Sequence, residues 1–295
     1  MIEGIIIKGV GGFYYIRSED GLVWECKARG KFRKQRLTPL VGDRVVFQPG
    51  EGEELGFIDE ILSRRNEMIR PPVANIDQVI VVLSYIMPQP DYLLIDKMLL
   101  QASKQSVQAL LCINKCDLIN EDQIRSMYRN FKNTGYPILQ TSAKSGLGIA
   151  ELKKFMKGKL STFAGQSGVG KSSLLNRISP HAQLKTSELS EKIERGRHTT
   201  RHAEIIFLED NGMVIDTPGF SLMEMDDTEP TDIAAFYPDF QPYLGNCKFS
   251  GCLHMEEPAC SIKEAVDKGR ISTGRYERYR LLVEESIEKW SRKYD

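Results

Sequence analysis

Gly165-Gln166-Ser167-Gly168-Val169-Gly170-Lys171-Ser172-Ser173 spells G-x-x-x-x-G-K-[ST], the pattern of a phosphate-binding loop. In such a loop the glycines let backbone N–H groups curl around phosphate oxygens, the lysine adds a point charge, and the next hydroxyl ligates Mg²⁺. The flanks agree, because Ser161-Thr162-Phe163-Ala164 is β-like and Ser172 to Ile178 has helical character. Bound phosphate would then sit on a helix N-terminus. Every residue from Gly165 to Ser173 is therefore assigned to nucleotide binding, with Lys171 also catalytic. The loop specifies a nucleoside triphosphate without saying which.

Upstream, Val79-Ile80-Val81-Val82-Leu83 reads as a fully buried strand of a parallel sheet, Tyr92 to Ser103 as an amphipathic helix, and Ala109 to Ile113 as a second strand. This alternation predicts a doubly wound, mainly parallel α/β domain, in which ligands collect beyond the carboxyl ends of the strands. The second strand runs into Asn114-Lys115-Cys116-Asp117. A carboxylate at Asp117 accepts from both the ring N1–H and the exocyclic amine of guanine, whereas adenine offers neither donor there. An unsatisfied buried group costs about 1 to 3 kcal/mol, more when charged, so such a site rejects adenine. Ser142-Ala143-Lys144 follows another strand and adds backup contacts to the ring. N-K-x-D alone is a weak signal. With a phosphate loop in the same chain, Asn114, Lys115, Asp117, Ser142, Ala143 and Lys144 make a guanine-reading set.

Downstream, Glu191 to His202 is polar, has the make-up of a mobile loop, and contains Arg195-Gly196-Arg197-His198-Thr199-Thr200. Thr199 or Thr200 would reach Mg²⁺. The strand Met213-Val214-Ile215 ends in Asp216-Thr217-Pro218-Gly219, where Asp216 would hold Mg²⁺ through water and the Gly219 amide would sense a γ-phosphate. The Mg²⁺ set is then Ser172, Thr200 and Asp216. Two features depart from a Ras-like GTPase. The guanine-reading motifs precede the phosphate loop, so the domain is circularly permuted, which chains tolerate when their termini lie close together. Phe220 stands where the water-orienting glutamine is expected, so unaided turnover should be slow. His198 is the candidate for positioning water, the other reading being an ordinary polar loop histidine.

Before this domain, residues 1–68 carry roughly five short strands with glycine-bearing turns and no long helix, a pattern that suits a small OB-type or SH3-like barrel. Lys27, Arg29, Lys31, Arg33, Lys34 and Arg36 form an acid-free basic run around Phe32. It reads as a phosphate-backbone groove with an interleaved aromatic or as a solvated hairpin tip. After the domain, residues 227–295 contain Cys247, Cys252, His254 and Cys260, a full tetrahedral donor set for a structural Zn²⁺. Two helices follow, over Ser261 to Asp267 and Tyr276 to Trp290. The last carries Arg275, Arg278 and Arg280 with Tyr276 and Tyr279, which either touch RNA or cover the domain.

Across 295 residues, 40 basic and 40 acidic side chains cancel, so any polyanion surface must be local. Six cysteines, three of them crowded beside His254, suggest a metal in a reducing compartment rather than a disulfide scaffold. No signal or membrane span is evident, which leads to the expectation of a cytoplasmic protein.

The permuted order of Asn114-Lys115-Cys116-Asp117, Gly165 to Ser173 and Asp216-Thr217-Pro218-Gly219, with Gly196 to Thr200 and the Cys247, Cys252, His254, Cys260 set, resembles the RsgA family of small ribosomal subunit biogenesis GTPases. The resemblance spans nearly the whole chain. It implies an OB-type RNA-binding barrel (1–68), a permuted P-loop GTPase core (69–226) and a mainly helical zinc domain (227–295). It also implies GTP hydrolysis stimulated by the 30S subunit late in its maturation, 16S rRNA contacts, GTP/GDP, Mg²⁺ and Zn²⁺ as ligands, and a monomer. The alternative is an RNA-binding assembly scaffold in which GTP is a structural ligand. A zinc-dependent hydrolase is disfavoured because three cysteines and His254 close the metal shell.

Overall fold

The computed structural model describes residues 1–50, 52, 54–68, 72–180, 203–216 and 228–294. In chain order the elements are β1 (Ile2–Val10), β2 (Phe13–Ser18), β3 (Val23–Ala28), α1 (Gly30–Lys34), β4 (Arg44–Gln48), β5 (Gly56–Ile61), β6 (Glu67–Met68), β7 (Val73–Ala74), β8 (Gln78–Leu83), α2 (Tyr92–Lys104), β9 (Gln108–Ile113), α3 (Glu121–Asn130), β10 (Ile138–Gln140), α4 (Ile149–Met156), β11 (Leu160–Ala164), α5 (Lys171–Ile178), β12 (Glu204–Phe207), β13 (Met213–Asp216), α6 (Ser261–Asp267) and α7 (Thr273–Tyr294). The described residues fall into two compact units, one drawn from 1–80, 150–163 and 172–220, the other from 81–149, 164–171 and 221–295.

In the first unit, strands β11, β13, β12, β1, β2, β3, β5 and β4 lie side by side in that order. β1 also pairs with β4, which closes β1 to β5 into a barrel. Its circuit β1-β2-β3-β5-β4, with β3 parallel to β5 and the other neighbours antiparallel, is the OB arrangement. Strand lengths alone leave OB and SH3-like barrels open; the pairing decides. The β1–β2 turn uses Gly11 and Gly12, both at positive φ, as a two-residue hairpin requires. Ile6, Ile16, Cys26, Val45, Phe47 and Ile58 fill the barrel.

The basic run forms the short helix α1 where a loop was expected. Phe32 is buried beneath it, so it anchors the helix and is withdrawn from any stacking role. An accessible aromatic beside the run is Phe57, 43% exposed, with the Arg29 guanidinium 5.4 Å from its ring centre. β13 runs parallel to β11 and antiparallel to β12. β12 meets β1 through the pair Lys8 and Glu204, whose side chains form a 2.9 Å ion pair.

β8 runs from the first unit (Gln78 to Ile80) into the second (Val81 to Leu83), which also holds β9 and β10 in the order β10-β9-β8, with β9 parallel to β10. All six residues of β8 are buried, and each large apolar side chain so placed contributes about 1.5–3 kcal/mol. α2 starts at Asp91, whose carboxylate accepts from the Leu94 N–H at 2.9 Å. α3 starts with a capping box between Asn120 and Gln123. Such caps contribute about 1 kcal/mol each.

C-terminal to these, Tyr237, Phe240, Ile262, Tyr279, Leu282 and Val283 pack with Leu100 of α2 into one core, in which the Tyr237, Phe240 and Tyr279 rings lie 4.9–5.3 Å apart. Arg275 is fully buried. Its Nε donates to both Asp239 oxygens at 2.9 and 3.0 Å, and its Nη1 to Asp96 Oδ1 at 2.6 Å. Arg278 Nε donates to Asp96 Oδ2 at 2.5 Å. Removing one partner from such a buried pair costs about 3–5 kcal/mol. Of the two readings of this helix, covering the domain holds for Arg275, Arg278 and Tyr279. Among the described residues no helix is long and apolar enough to cross a membrane.

Candidate nucleotide site and metal centre

β9 is buried along its last four residues and delivers Asn114 and Lys115 at its carboxyl end. Asn114 is buried, and its backbone N–H donates to Leu83 O. Its Nδ2 donates to Val169 O in the phosphate loop at 2.9 Å, while its Oδ1 accepts from Ala143 N at 3.3 Å. One side chain thus ties both guanine-reading segments to the loop. Lys115 takes a left-handed backbone and donates Nζ to Gly168 O at 2.8 Å and to Met87 O. Ser142 Oγ donates to Asp117 Oδ1 at 2.6 Å and accepts from Ser145 N at 3.0 Å, so one carboxylate oxygen is held while the residue stays exposed. Lys144 is exposed beside it.

The phosphate loop is shaped by glycines whose side chains have no room. At Gly165, φ +139, a Cβ would lie 2.2 Å from Val82 O; at Gly170, φ +100, it would lie 2.3 Å from Asn114 Nδ2. Only glycine fits both the backbone angle and the approach. Val169 is buried, and Ser167 and Gly168 are exposed at the loop's tip. Lys171 donates Nζ to Gly165 O at 2.6 Å and Gln166 O at 2.8 Å. Burial lowers its pKa to about 8, because a desolvated ammonium is disfavoured. Gln166 reaches the other way: its Oε1 accepts from Asp91 N at 2.9 Å.

Lys171 opens α5, which puts Ser172 and Ser173 in its first turn. Asp216 ends β13. Ser172 offers an oxygen donor, which suits Mg²⁺; the Asp216 side chain lies outside the described residues. His198, Thr199, Thr200 and Gly219 lie outside the described residues. The groups that sequence reasoning missed are Met87, whose carbonyl receives Lys115, and Asp91, whose N–H receives Gln166. Both act through backbone atoms, which leave no side-chain signature.

The second cluster is the cysteine and histidine set. The ligand atoms of Cys247, Cys252, His254 and Cys260 all lie within 4.8 Å of one another. Cys247 Sγ is 3.5 Å from His254 Nδ1 and 3.9 Å from Cys260 Sγ, and His254 Nδ1 is 3.3 Å from Cys260 Sγ. A tetrahedron with zinc–sulfur bonds of about 2.3 Å has edges of about 3.8 Å, so the donor set fits Zn²⁺ in type and spacing. Burial raises the Cys252 and Cys260 thiols and would raise Cys247 too. At Cys247, hydrogen bonds from Ser261, Cys260 and Cys252 outweigh burial and lower its pKa. Ser261, unforeseen from sequence, lies 3.1 Å from Cys247 Sγ and donates to Tyr243 O at 2.7 Å.

Comparison with known proteins agrees with this geometry. A family model described as the RsgA GTPase matches residues 61–226, and one described as the RsgA N-terminal domain matches residues 3–58. The chain is 45% identical over 286 residues to the small ribosomal subunit biogenesis GTPase RsgA of Alkaliphilus metalliredigens, covering 97% of this chain and 98% of that one. It is likewise 45% identical over 293 residues to its namesake in Caldanaerobacter subterraneus subsp. tengcongensis, covering 99% and 98%. Among solved structures it is similar to YjeQ from Thermotoga maritima (TM-score 0.85, 42% identity, 97% and 98% covered). It is also similar to YloQ, described as a circularly permuted GTPase (TM-score 0.82, 39% identity, 98% and 96% covered).

Proposed function

The chain belongs to the RsgA GTPase family, and from that premise we propose that it hydrolyses GTP as a factor in small ribosomal subunit biogenesis, binding rRNA and stimulated by the 30S subunit. The observation that carries this reading is the interlock of Asn114 with Val169 and of Lys115 with Gly168. It joins a guanine-reading segment to a phosphate loop that follows it in sequence, as a permuted GTPase requires. The module bounds proposed are 1–68, 69–226 and 227–295, and the family matches to 3–58 and 61–226 support the first two.

Asp117 would accept both guanine donors, with Ser142 holding one of its oxygens in place. Ala143 and Lys144 would flank the ring. Backbone N–H groups from Gly165 to Ser173 would line the phosphates. Lys171, now satisfied by two loop carbonyls, is positioned to exchange them for phosphate oxygens. Mg²⁺, when bound, neutralises charge developing on the phosphate oxygens; Ser172, Thr200 and Asp216 would hold it. Phe220 in the glutamine position leaves water orientation to His198 or to a group supplied by the particle. The Cys247, Cys252, His254 and Cys260 shell has no open position, so its Zn²⁺ would be structural. A monomer acting in the cytoplasm, where subunits assemble, completes the proposal.

The test is GTP turnover titrated with purified 30S, 50S and 70S particles. Slow unaided turnover, raised by 30S and not by 50S, is expected. Equal turnover with and without 30S would overturn the reading.

A further inference from the structure

Helix α2 is held by two sites at once. At its start, the Asp91 N–H is bonded to Gln166 Oε1 in the phosphate loop, and the Asp91 carboxylate caps the helix through Leu94 N. Movement of the loop's Gln166 therefore bears directly on the first turn of α2. Little more than one turn later, the buried Asp96 receives Arg275 Nη1 and Arg278 Nε from α7. Lys97 adds a 2.6 Å pair with Glu285.

The same stretch of α7 grips the metal loop. Tyr276 Oη donates to His254 O at 2.6 Å, and Tyr279 Oη donates to Leu253 O at 2.9 Å. Arg275, Tyr276, Arg278 and Tyr279 fall within five consecutive residues of one helix, so the groups that hold α2 and the groups that hold the metal loop move together. Around this junction Tyr237 Oη and Arg278 Nη2 are buried with no hydrogen-bond partner among the described residues. The network thus has polar groups available for a second pairing arrangement. Packed polar interfaces shift between discrete arrangements rather than deforming smoothly.

We propose that occupancy of the nucleotide site and occupancy of the Cys247, Cys252, His254 and Cys260 metal centre are thermodynamically coupled through α2, with Asp96 as the positioning residue at the junction. The proposal rests on the guanine-nucleotide reading of the phosphate loop. Coupling of this kind is reciprocal: the factor by which nucleotide changes metal affinity equals the factor by which metal changes nucleotide affinity.

The experiment uses the full chain. Binding of a fluorescent GDP is titrated on zinc-loaded and zinc-stripped protein, and zinc affinity is measured by equilibrium competition with a chromogenic chelator, with and without saturating GDP. Both affinities are expected to shift by the same factor, about fivefold or more. In Asp96→Asn both shifts should fall toward one. Arg278→Gln leaves Arg275 paired with Asp239 and Asp96, so it carries the test should Asp96→Asn not fold. The proposal is overturned if GDP binds and zinc affinity is the same with and without it, or if Arg278→Gln keeps the full wild-type factor. If fluorescent GDP binds neither form, the nucleotide-site reading itself fails and the proposal fails with it.

Discussion

Lys171 turns its ammonium onto two carbonyls of its own loop in surroundings dry enough to bring its pKa down to about 8. Phosphate needs the charged form. Above pH 8 the free site is mostly neutral and must take up a proton to bind, so affinity falls as pH rises. From pH 7 to pH 8.5 the dissociation constant for GDP should weaken about fourfold, with most of one proton taken up per GDP at the upper pH. Calorimetry in buffers of different ionisation enthalpy measures that uptake; proton release would contradict it. Lys171 was legible in sequence because loop geometry and chemistry are specified within nine adjacent residues, and Gly165 and Gly170 show why substitution there is not tolerated. Arg275 was not. Its partner Asp96 lies 179 residues away, and no local pattern says which arginine of a basic helix will be buried.

At the scale of elements, the metal loop is built from turns rather than long helices, and its hold on neighbouring segments is made by a few bonds. Ser261, at the start of α6, sets its hydroxyl within reach of both Cys247 Sγ and the Tyr243 carbonyl, so its one proton can turn to the sulfur when Cys247 is a thiolate. A group that orients a metal ligand in this way is worth about 10–100-fold in metal affinity. Ser261→Ala should therefore weaken zinc binding by about that factor in competition with a chelator, while α7 keeps its protection from hydrogen exchange. α7 packs into the apolar core around Tyr237, Phe240 and Leu282, which the substitution leaves in place. Unchanged zinc affinity would mean that Ser261 only closes a turn. The four ligands were readable from their spacing and chemistry. Ser261 follows a cysteine with nothing in its neighbours to mark it, and its role arises only when the chain folds back to Tyr243.

For the whole molecule, a net charge of zero means that attraction to a ribosomal particle must come from uneven distribution. Motif order alone disclosed the permutation, since each motif carries its own local signature. The side that an aromatic takes was hidden, because Phe32 is buried on a short helix, α1, inside a run of basic residues where sequence suggests a loop. With Phe32 anchoring α1, the exposed Lys31, Arg33 and Lys34 can be neutralised without touching the core, whereas Arg29 is tied to Asp59 at 2.5 Å and is a poorer probe. Each phosphate contact contributes about 0.7–0.9 to the slope of log affinity against log salt. Replacing the three with glutamine should weaken particle binding and flatten that slope by about 2 to 3 units, with the melting temperature of the barrel unchanged. A slope equal to wild type would move the RNA surface off α1, toward the ring of Phe57 and the strands beside it.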